Sequence, residues 1–337
     1  MVGPVYLLGS ERSGTNLLRK RLIENQKVFY GPSPAHFLSS LFYREPYYGD
    51  LHDDSCFLAL IKDALDLCYV HFSPWDVVLE PDAVKTGFDA RMPRRSSVLL
   101  AHYLMTIYAE AKGYSSYFCK DNFLYEFHEA IRREIPEARF LYLYRDPRDY
   151  VLSQLKRPDA LRDHLRMSRL WEYEQNKSIR AAHTLRAEGR CYSLSYEDLI
   201  QDEERIISEI CDFLGVEYGK ADAIAGDNIK VRVKEWENLE KSTIKSNFGK
   251  YRQELAPARV AQIEAICWQP MRFLGYVPEN GSRPVISAFT RLRVFGLAAA
   301  GWVLRMWWRN RRAAAGDPIV GRDRLLQRLA VNYRSPK

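Results

Sequence analysis

The segment "VYLLGSERSGTNLLRKRLIEN" (residues 5–25) limits the possible folds more than any other stretch of this chain. Val5–Leu8 is a short apolar run that stops at Gly9, and Leu17, Leu18, Arg21 and Leu22 then follow at helical spacing. A buried strand that passes through a glycine-bounded turn into a helix is the opening unit of an α/β sheet. Three later apolar runs have the same character. "SYFC" (116–119) ends at Lys120-Asp121, "RFLYLY" (139–144) at Arg145-Asp146-Pro147, and "CYSLSY" (191–196) at Glu197-Asp198. Helical patterns lie between and after them, at 124–135, 147–157 and 203–214. The expected architecture is a parallel sheet flanked by helices, with the chemistry at the carboxyl ends of the strands.

Residues 37–115 break this rhythm. They are rich in aromatics (Phe42, Tyr43, Tyr47, Tyr48, Phe57, Tyr69, Phe72, Trp75) and in helical patterns such as "CFLALIKDALDLCYV". The expectation is a helical insertion covering the sheet edge, as a lid on the substrate side or as a plain packing cap.

Charge is unevenly placed. The chain carries +7 overall, but residues 283–337 hold twelve Lys/Arg against only Asp317 and Asp323, so this segment alone carries +10 and residues 1–282 carry −3. A body of that charge is not a general polyanion binder, and no nucleic-acid partner is expected. Two parts follow: a domain over 1–282 and a basic Arg/Trp-rich appendix over 283–337. Within the appendix, residues 285–312 include Trp302, Trp307 and Trp308 flanked by arginines. That pattern suits a helix lying on an anionic membrane surface, and equally a terminal helix packed on protein. The longest apolar run there, Val294–Leu304, is too short for a bilayer span of roughly 20 residues. Six scattered cysteines without C-x-x-C spacing read as buried thiols in a reducing compartment. A first strand at about Val5 leaves no room for a signal peptide. The expected location is cytoplasmic, with peripheral membrane attachment open.

The first loop poses the chemical question. Gly9 and Gly14 have the G-x-x-x-x-G spacing of a nucleotide-binding phosphate loop, but Thr15 and Asn16 stand where a lysine and a Ser/Thr would follow. In nucleoside triphosphatases those two residues hold the β/γ-phosphates and Mg²⁺. Without them the loop offers backbone N–H groups at a helix N-terminus, with Arg12, Ser13, Thr15 and Asn16 as further donors. A donor-rich loop with no metal seat suits a phosphosulfate, whose transferred sulfuryl group carries less charge than a γ-phosphoryl. No metal ligands are expected.

"YRDPRDYVLSQ" is the second signal. Arg145 ends a strand, Asp146 caps a helix with Pro147 at its first position and Asp149 three residues on, and Ser153 lies two turns in. Here the chain resembles the sulfotransferases that use 3′-phosphoadenosine-5′-phosphosulfate (PAPS), more the bacterial and tyrosylprotein-type branch than the cytosolic type. The resemblance covers about residues 5–36, 116–157, 190–215 and 242–275. It implies that Arg12, Ser13, Gly14, Thr15 and Asn16 bind the 5′-phosphosulfate, that Arg145 and Ser153 bind the 3′-phosphate, and that Tyr196 of "SYEDLI" contacts the adenine. "STIKSNFGKYRQEL" (242–255) resembles the late basic loop that closes over the nucleotide, with Lys245 and Lys250 loosely aligned.

The resemblance also implies catalysts. Lys120 in "FCKDN" matches the family lysine on the bridging oxygen, with Arg12 beside it. Cytosolic-type relatives carry a histidine two residues after that lysine, where this chain has Asn122; the glutamate slot of the tyrosylprotein type matches Ser33. His36, three residues beyond Ser33, would share a helix face with it if a helix begins after Pro34. It is the nominated base, with Asp121 and Glu126 in reserve. The expected function is transfer of a sulfuryl group from PAPS to a hydroxyl or amine of a small-molecule, glycan, lipid or peptide acceptor. A small-molecule kinase and a non-catalytic nucleotide-binding, membrane-docking protein are the rivals.

Overall fold

The computed structural model describes residues 2–32, 34–70, 74–157, 163–219, 244–285 and 287. Among the described residues, five strands form one parallel sheet: β1 (Val5–Gly9), β2 (Phe29–Tyr30), β3 (Ser116–Cys119), β4 (Arg139–Tyr144) and β5 (Cys191–Ser195), in the order β2-β3-β1-β4-β5. β1 is central, with Val5–Gly9 opposite Arg139–Leu143 on one side and Val5–Tyr6 opposite Phe118–Cys119 on the other. Four strands coincide with the apolar runs of the sequence. β2 was not expected, because two residues are too few to show a period.

The helices follow in chain order: α1 (Thr15–Glu24), α2 (Phe37–Leu41), α3 (Asp54–Tyr69), α4 (Pro81–Arg91), α5 (Ser97–Ala111), α6 (Leu124–Glu134), α7 (Pro147–Leu155), α8 (His164–Ala187), α9 (Tyr196–Gln201), α10 (Glu203–Leu214), α11 (Tyr251–Glu254) and α12 (Pro257–Phe273), with a 3₁₀ turn over Phe42–Tyr48.

Alternation along the strands splits the core in two, because successive side chains leave a strand on opposite faces. Tyr6, Leu8, Tyr117, Phe140 and Tyr142 face one layer, packed with α2, α3, α5 and α6. Val5, Leu7, Phe118, Leu141 and Leu143 face the other, packed with α1, α9 and α10. A third cluster joins α7, α8 and α12 around Tyr150, Trp171, Ile263 and Cys267.

The described part of 37–115 is mostly helical, and its helices pack on the face of the sheet that carries Tyr6, Leu8 and Tyr117. Several of its aromatics are core. Phe57 is fully buried and Trp75 stacks on Tyr108 at 4.1 Å between ring centroids. Tyr43 and Tyr47, by contrast, are exposed. All six cysteines are free thiols, five of them buried. No helix among the described residues is long and apolar enough to cross a membrane. The appendix nominated for membrane docking, 285–312, lies outside the described residues apart from 285 and 287. Arg283, at its start, donates to the Ala265 carbonyl of α12 at 3.5 Å.

Candidate functional site

Ser10–Gly14 carries the chain from β1 into α1, and two residues there have left-handed backbone: Gly14 (φ 87) and Arg12 (φ 66). Glycine is required at 14 for a second reason. A Cβ there would lie 2.4 Å from Cδ2 of Tyr196, so the tyrosine ring packs directly on the loop backbone. The first-turn N–H groups of a helix lack intrahelical acceptors, and α1 presents them at this loop. Ser13 adds a buried hydroxyl with no hydrogen-bond partner among the described residues. Thr15 opens the helix and is buried, and Asn16 beside it is partly buried.

Arg145, at the end of β4, reaches this loop. Its Nη1 donates to the Arg12 carbonyl at 2.8 Å, its Nη2 donates to the Asn247 carbonyl at 3.3 Å, and its guanidinium lies 4.4 Å from the centroid of the Tyr196 ring. Trp171 of α8 fixes the backbone beneath it by donating Nε1 to the Arg145 carbonyl at 3.2 Å. Arg145 Nε is buried with no hydrogen-bond partner among the described residues. Ser153 of α7 accepts from Arg12 Nε at 3.1 Å, so Arg12, Arg145, Ser153 and Tyr196 form one group.

Capping of α7 differs in part from expectation. Asp146 is the N-cap, accepting from the Arg148 amide at 2.8 Å, and Pro147 is at the first position. Asp149 does not complete a cap. Its carboxylate accepts from the amides of Gly249 at 2.5 Å and Tyr251 at 3.1 Å, tying the late loop to α7. Burial, reinforced by Asp146, pushes the Asp149 carboxyl up, while Arg145 and the two amides oppose the shift. In that loop Asn247 makes the contact, donating Nδ2 to the Tyr196 hydroxyl at 2.6 Å. Lys245 and Lys250 are exposed, and neither side chain is hydrogen-bonded or ion-paired among the described residues. Tyr196 itself is set by Ser195, the N-cap of α9, which accepts from the Asp198 amide at 2.9 Å.

Lys120 directly follows β3 and is partly buried. Burial pushes its ammonium down from the usual lysine range; Glu11 opposes this and Arg19 adds to it. Its side chain has no hydrogen bond or ion pair among the described residues. Asp121 is buried and lines a small cavity with Tyr6, Phe37, Leu38 and Cys119. Glu126 faces elsewhere, accepting from Tyr173 at 2.5 Å and pairing with Lys177 at 3.3 Å.

His36 departs from its expected setting. It is the N-cap of α2 in a left-handed conformation (φ 57) and is 8% exposed, so it precedes the helix and does not ride on one of its faces. The short helix begins only at Phe37. Ser33 lies outside the described residues. Among the described residues, the non-glycine residues with positive φ are Arg12, His36 and Phe123, one in each connection leaving β1, β2 and β3. Backbone strain therefore collects at a single edge of the sheet, as it does at binding and catalytic sites.

Three residues in or under the loop escaped sequence reasoning. Gln175 of α8 donates to Ser10 Oγ at 2.8 Å and accepts from the Tyr142 hydroxyl at 2.5 Å. Beside it Glu174 is 4% exposed and accepts from Tyr125 at 3.3 Å. Burial pushes its carboxyl up to about 7, with Glu11 adding to the shift and Ser10, Tyr125 and Tyr150 opposing it. Glu11, on the loop, accepts from Asn122 Nδ2 at 2.7 Å through one oxygen and from Arg157 Nη1 at 3.1 Å through the other.

Comparison with known proteins identifies the family and the fold. A model of the Sulfotransferase family matches residues 4–220. The sulfotransferase domain of the Synechococcus PCC 7002 olefin synthase superposes with a TM-score of 0.54 at 19% identity, covering 81% of this chain and 94% of that one. The sulfotransferase domain of the curacin biosynthetic pathway gives a TM-score of 0.53 at 15% identity, covering 82% of this chain and 98% of its own. No curated protein matches the chain by sequence. With its strand–loop–helix, its Arg145–Ser153 element and all five strands of the sheet inside the matched span, the chain belongs to the sulfotransferase family.

Proposed function

We propose that this protein transfers a sulfuryl group from PAPS to a hydroxyl or amine of a small-molecule, glycan, lipid or peptide acceptor. The observation that carries this reading is the pair of buried donors, Ser13 Oγ and Arg145 Nε, that have no hydrogen-bond partner among the described residues and lie on two elements joined by the 2.8 Å bond from Arg145 to Arg12. Buried donors without partners are costly, and phosphate or sulfate oxygens would satisfy both.

Arg12, Ser13, Gly14, Thr15 and Asn16 would hold the 5′-phosphosulfate through loop amides and side-chain donors. Arg145 and Ser153 would hold the 3′-phosphate: a guanidinium fixed by a carbonyl on either side is preorganised for a doubly charged anion. Tyr196, packed on Gly14 and under Arg145, would present its ring to the adenine. Lys245 and Lys250 would add charge from the late loop, which Asp149 ties down. PAPS supplies the activated sulfuryl group.

Lys120 would place its ammonium against the departing phosphate oxygen, with Arg12 adjacent, so that both stabilise charge that grows in the transition state. The entering group must lose a proton to a base at the same edge, the role for which the sequence nominates His36. An anionic membrane surface is a proposed partner of residues 285–312 on the strength of their Arg/Trp pattern alone.

Turnover tests the reading. PAPS labelled in its sulfuryl group is incubated with the protein and a panel of alcohols, phenols, amines and glycans, and labelled product is separated. Label on an acceptor, or release of adenosine 3′,5′-bisphosphate above background, is expected. Transfer of phosphate from ATP, lost on adding EDTA, would point to the kinase instead.

A further inference from the structure

The loop that gathers donors for an anion also holds a carboxylate. Glu11 sits between Ser10 and Arg12, where its charge opposes the anion the loop is shaped for, so its presence calls for another role. Its placement is defined on both sides. One oxygen accepts from Asn122 Nδ2 at 2.7 Å, two residues beyond Lys120, and the other accepts from Arg157 Nη1 at 3.1 Å just beyond α7. Its side chain is 41% exposed, so solvent and an incoming acceptor can reach it. It also interacts electrostatically with Lys120. The other candidates are less accessible: His36 is 8% exposed, Asp121 is 6% exposed, and Glu126 is engaged by Tyr173 and Lys177.

We infer that Glu11 is the general base of the reaction, taking the proton from the acceptor hydroxyl or amine while Lys120 meets the departing oxygen. The inference rests on the sulfuryl-transfer reading. In the step, the acceptor oxygen or nitrogen forms a bond to sulfur and the bond from sulfur to the bridging phosphate oxygen breaks. Its electron pair stays on the 5′-phosphate of adenosine 3′,5′-bisphosphate, and the acceptor proton passes to a Glu11 carboxylate oxygen. No oxidant or further reactant is needed. Asn122 and Arg157 fix the carboxylate plane, so the base is oriented before the acceptor arrives. Glu11 and Lys120, on neighbouring strand ends, divide the proton-accepting and charge-stabilising work at one edge of the sheet.

The test uses the full chain with PAPS, taking water and 2-naphthol as acceptors, and follows release of adenosine 3′,5′-bisphosphate against pH. Glu11→Gln keeps the shape and removes the charge. kcat should fall by about 10²- to 10⁴-fold and the acidic limb of the pH–rate profile should disappear. Affinity for adenosine 3′,5′-bisphosphate, measured calorimetrically, should hold or improve, because a negative charge has left the loop. A structural role would instead lower affinity and turnover together. Asn122 lies within hydrogen-bond distance of the same oxygen, so Glu11→Gln combined with Asn122→His places an imidazole there. That pair should recover at least about ten-fold in kcat, with a new acidic limb near the ordinary histidine range of about 6.5. Should Glu11→Gln melt early, Glu11→Asp serves, retaining the limb at reduced kcat. Wild-type kcat and limb in Glu11→Gln, or parallel loss of affinity, would overturn the base assignment alone. A wild-type protein that neither binds the bisphosphate nor releases it from PAPS would overturn the sulfuryl-transfer reading beneath it.

Discussion

The guanidinium of Arg145 stands 4.4 Å above the ring of Tyr196, and that ring packs where a side chain on Gly14 would have to go. Strand β4, helix α9 and the first loop thus meet in one stack, and its geometry predicts which substitutions strike nucleotide binding first. Gly14→Ala would place a Cβ 2.4 Å from Tyr196 in a left-handed residue. The backbone penalty alone is about 1–2 kcal/mol. Affinity for adenosine 3′,5′-bisphosphate should fall at least about ten-fold, with a lowered Tm, by calorimetry and thermal melting. Unchanged affinity would mean that the stack is not part of the nucleotide site.

Arg145→Ala and Ser153→Ala address the 3′-phosphate. Each should erode the preference for PAPS over adenosine 5′-phosphosulfate, since losing a charge-assisted bond costs about 1.5–3 kcal/mol. Arg145→Ala should have the larger effect, because Ser153 acts partly through its bond to Arg12 at 3.1 Å. Competition binding with the two nucleotides reads this directly. Equal discrimination in wild type and both variants would move the 3′-phosphate elsewhere.

Lys120→Ala should separate chemistry from binding. Its ammonium is proposed to meet charge that develops only as the bridging bond breaks, so kcat should fall by about 10²- to 10³-fold while nucleotide affinity changes little. A rise in KM for PAPS at constant kcat would make Lys120 a binding residue only.

Much of this site is legible in the sequence, for identifiable reasons. The four strands expected from the sequence stand out because each segment stops at a charged or glycine residue, and Lys120 and Arg145 are two of those stops. The partners that orient them are not local. Gln175 reaches Ser10 and Asn247 reaches Tyr196 across the fold, and nothing in the polar patches "EYEQNK" and "KSNFGK" distinguishes a buried amide from a solvated one. The helix-face argument for His36 failed on a single backbone angle, its φ of 57, which a sequence pattern does not encode.

Glu174 gives a stability prediction. Its carboxyl is raised by burial to about 7, against an unfolded value near 4.3. The folded state therefore holds the proton more tightly than the unfolded chain does. Stability from this group is complete below about pH 4, declines as pH rises, and is lost once pH passes about 7. Glu174→Gln removes the dependence and should be the more stable protein at pH 8, by up to roughly 3 kcal/mol. Chemical denaturation at pH 5 and pH 8 checks this: the wild type should lose stability relative to the variant between those two values. A constant difference would place the carboxyl's titration outside this window.

Residues 285–312, within the basic appendix 283–337, carry the membrane proposal. Their removal should abolish co-sedimentation with phosphatidylserine vesicles while leaving turnover in solution intact, because every nominated site residue precedes them. Equal sedimentation of both forms would discard the proposal.

The site proposed at the carboxyl edge of the sheet takes a 3′-phosphorylated adenine nucleotide without metal. Isothermal titration with adenosine 3′,5′-bisphosphate in EDTA tests it most directly, with adenosine 5′-phosphate and Mg-ATP as competitors. Saturable one-site binding is expected, at least about ten-fold tighter than adenosine 5′-phosphate, unaffected by EDTA and resistant to Mg-ATP. Heat that appears only when Mg²⁺ is added, or a bisphosphate displaced readily by Mg-ATP, would contradict it.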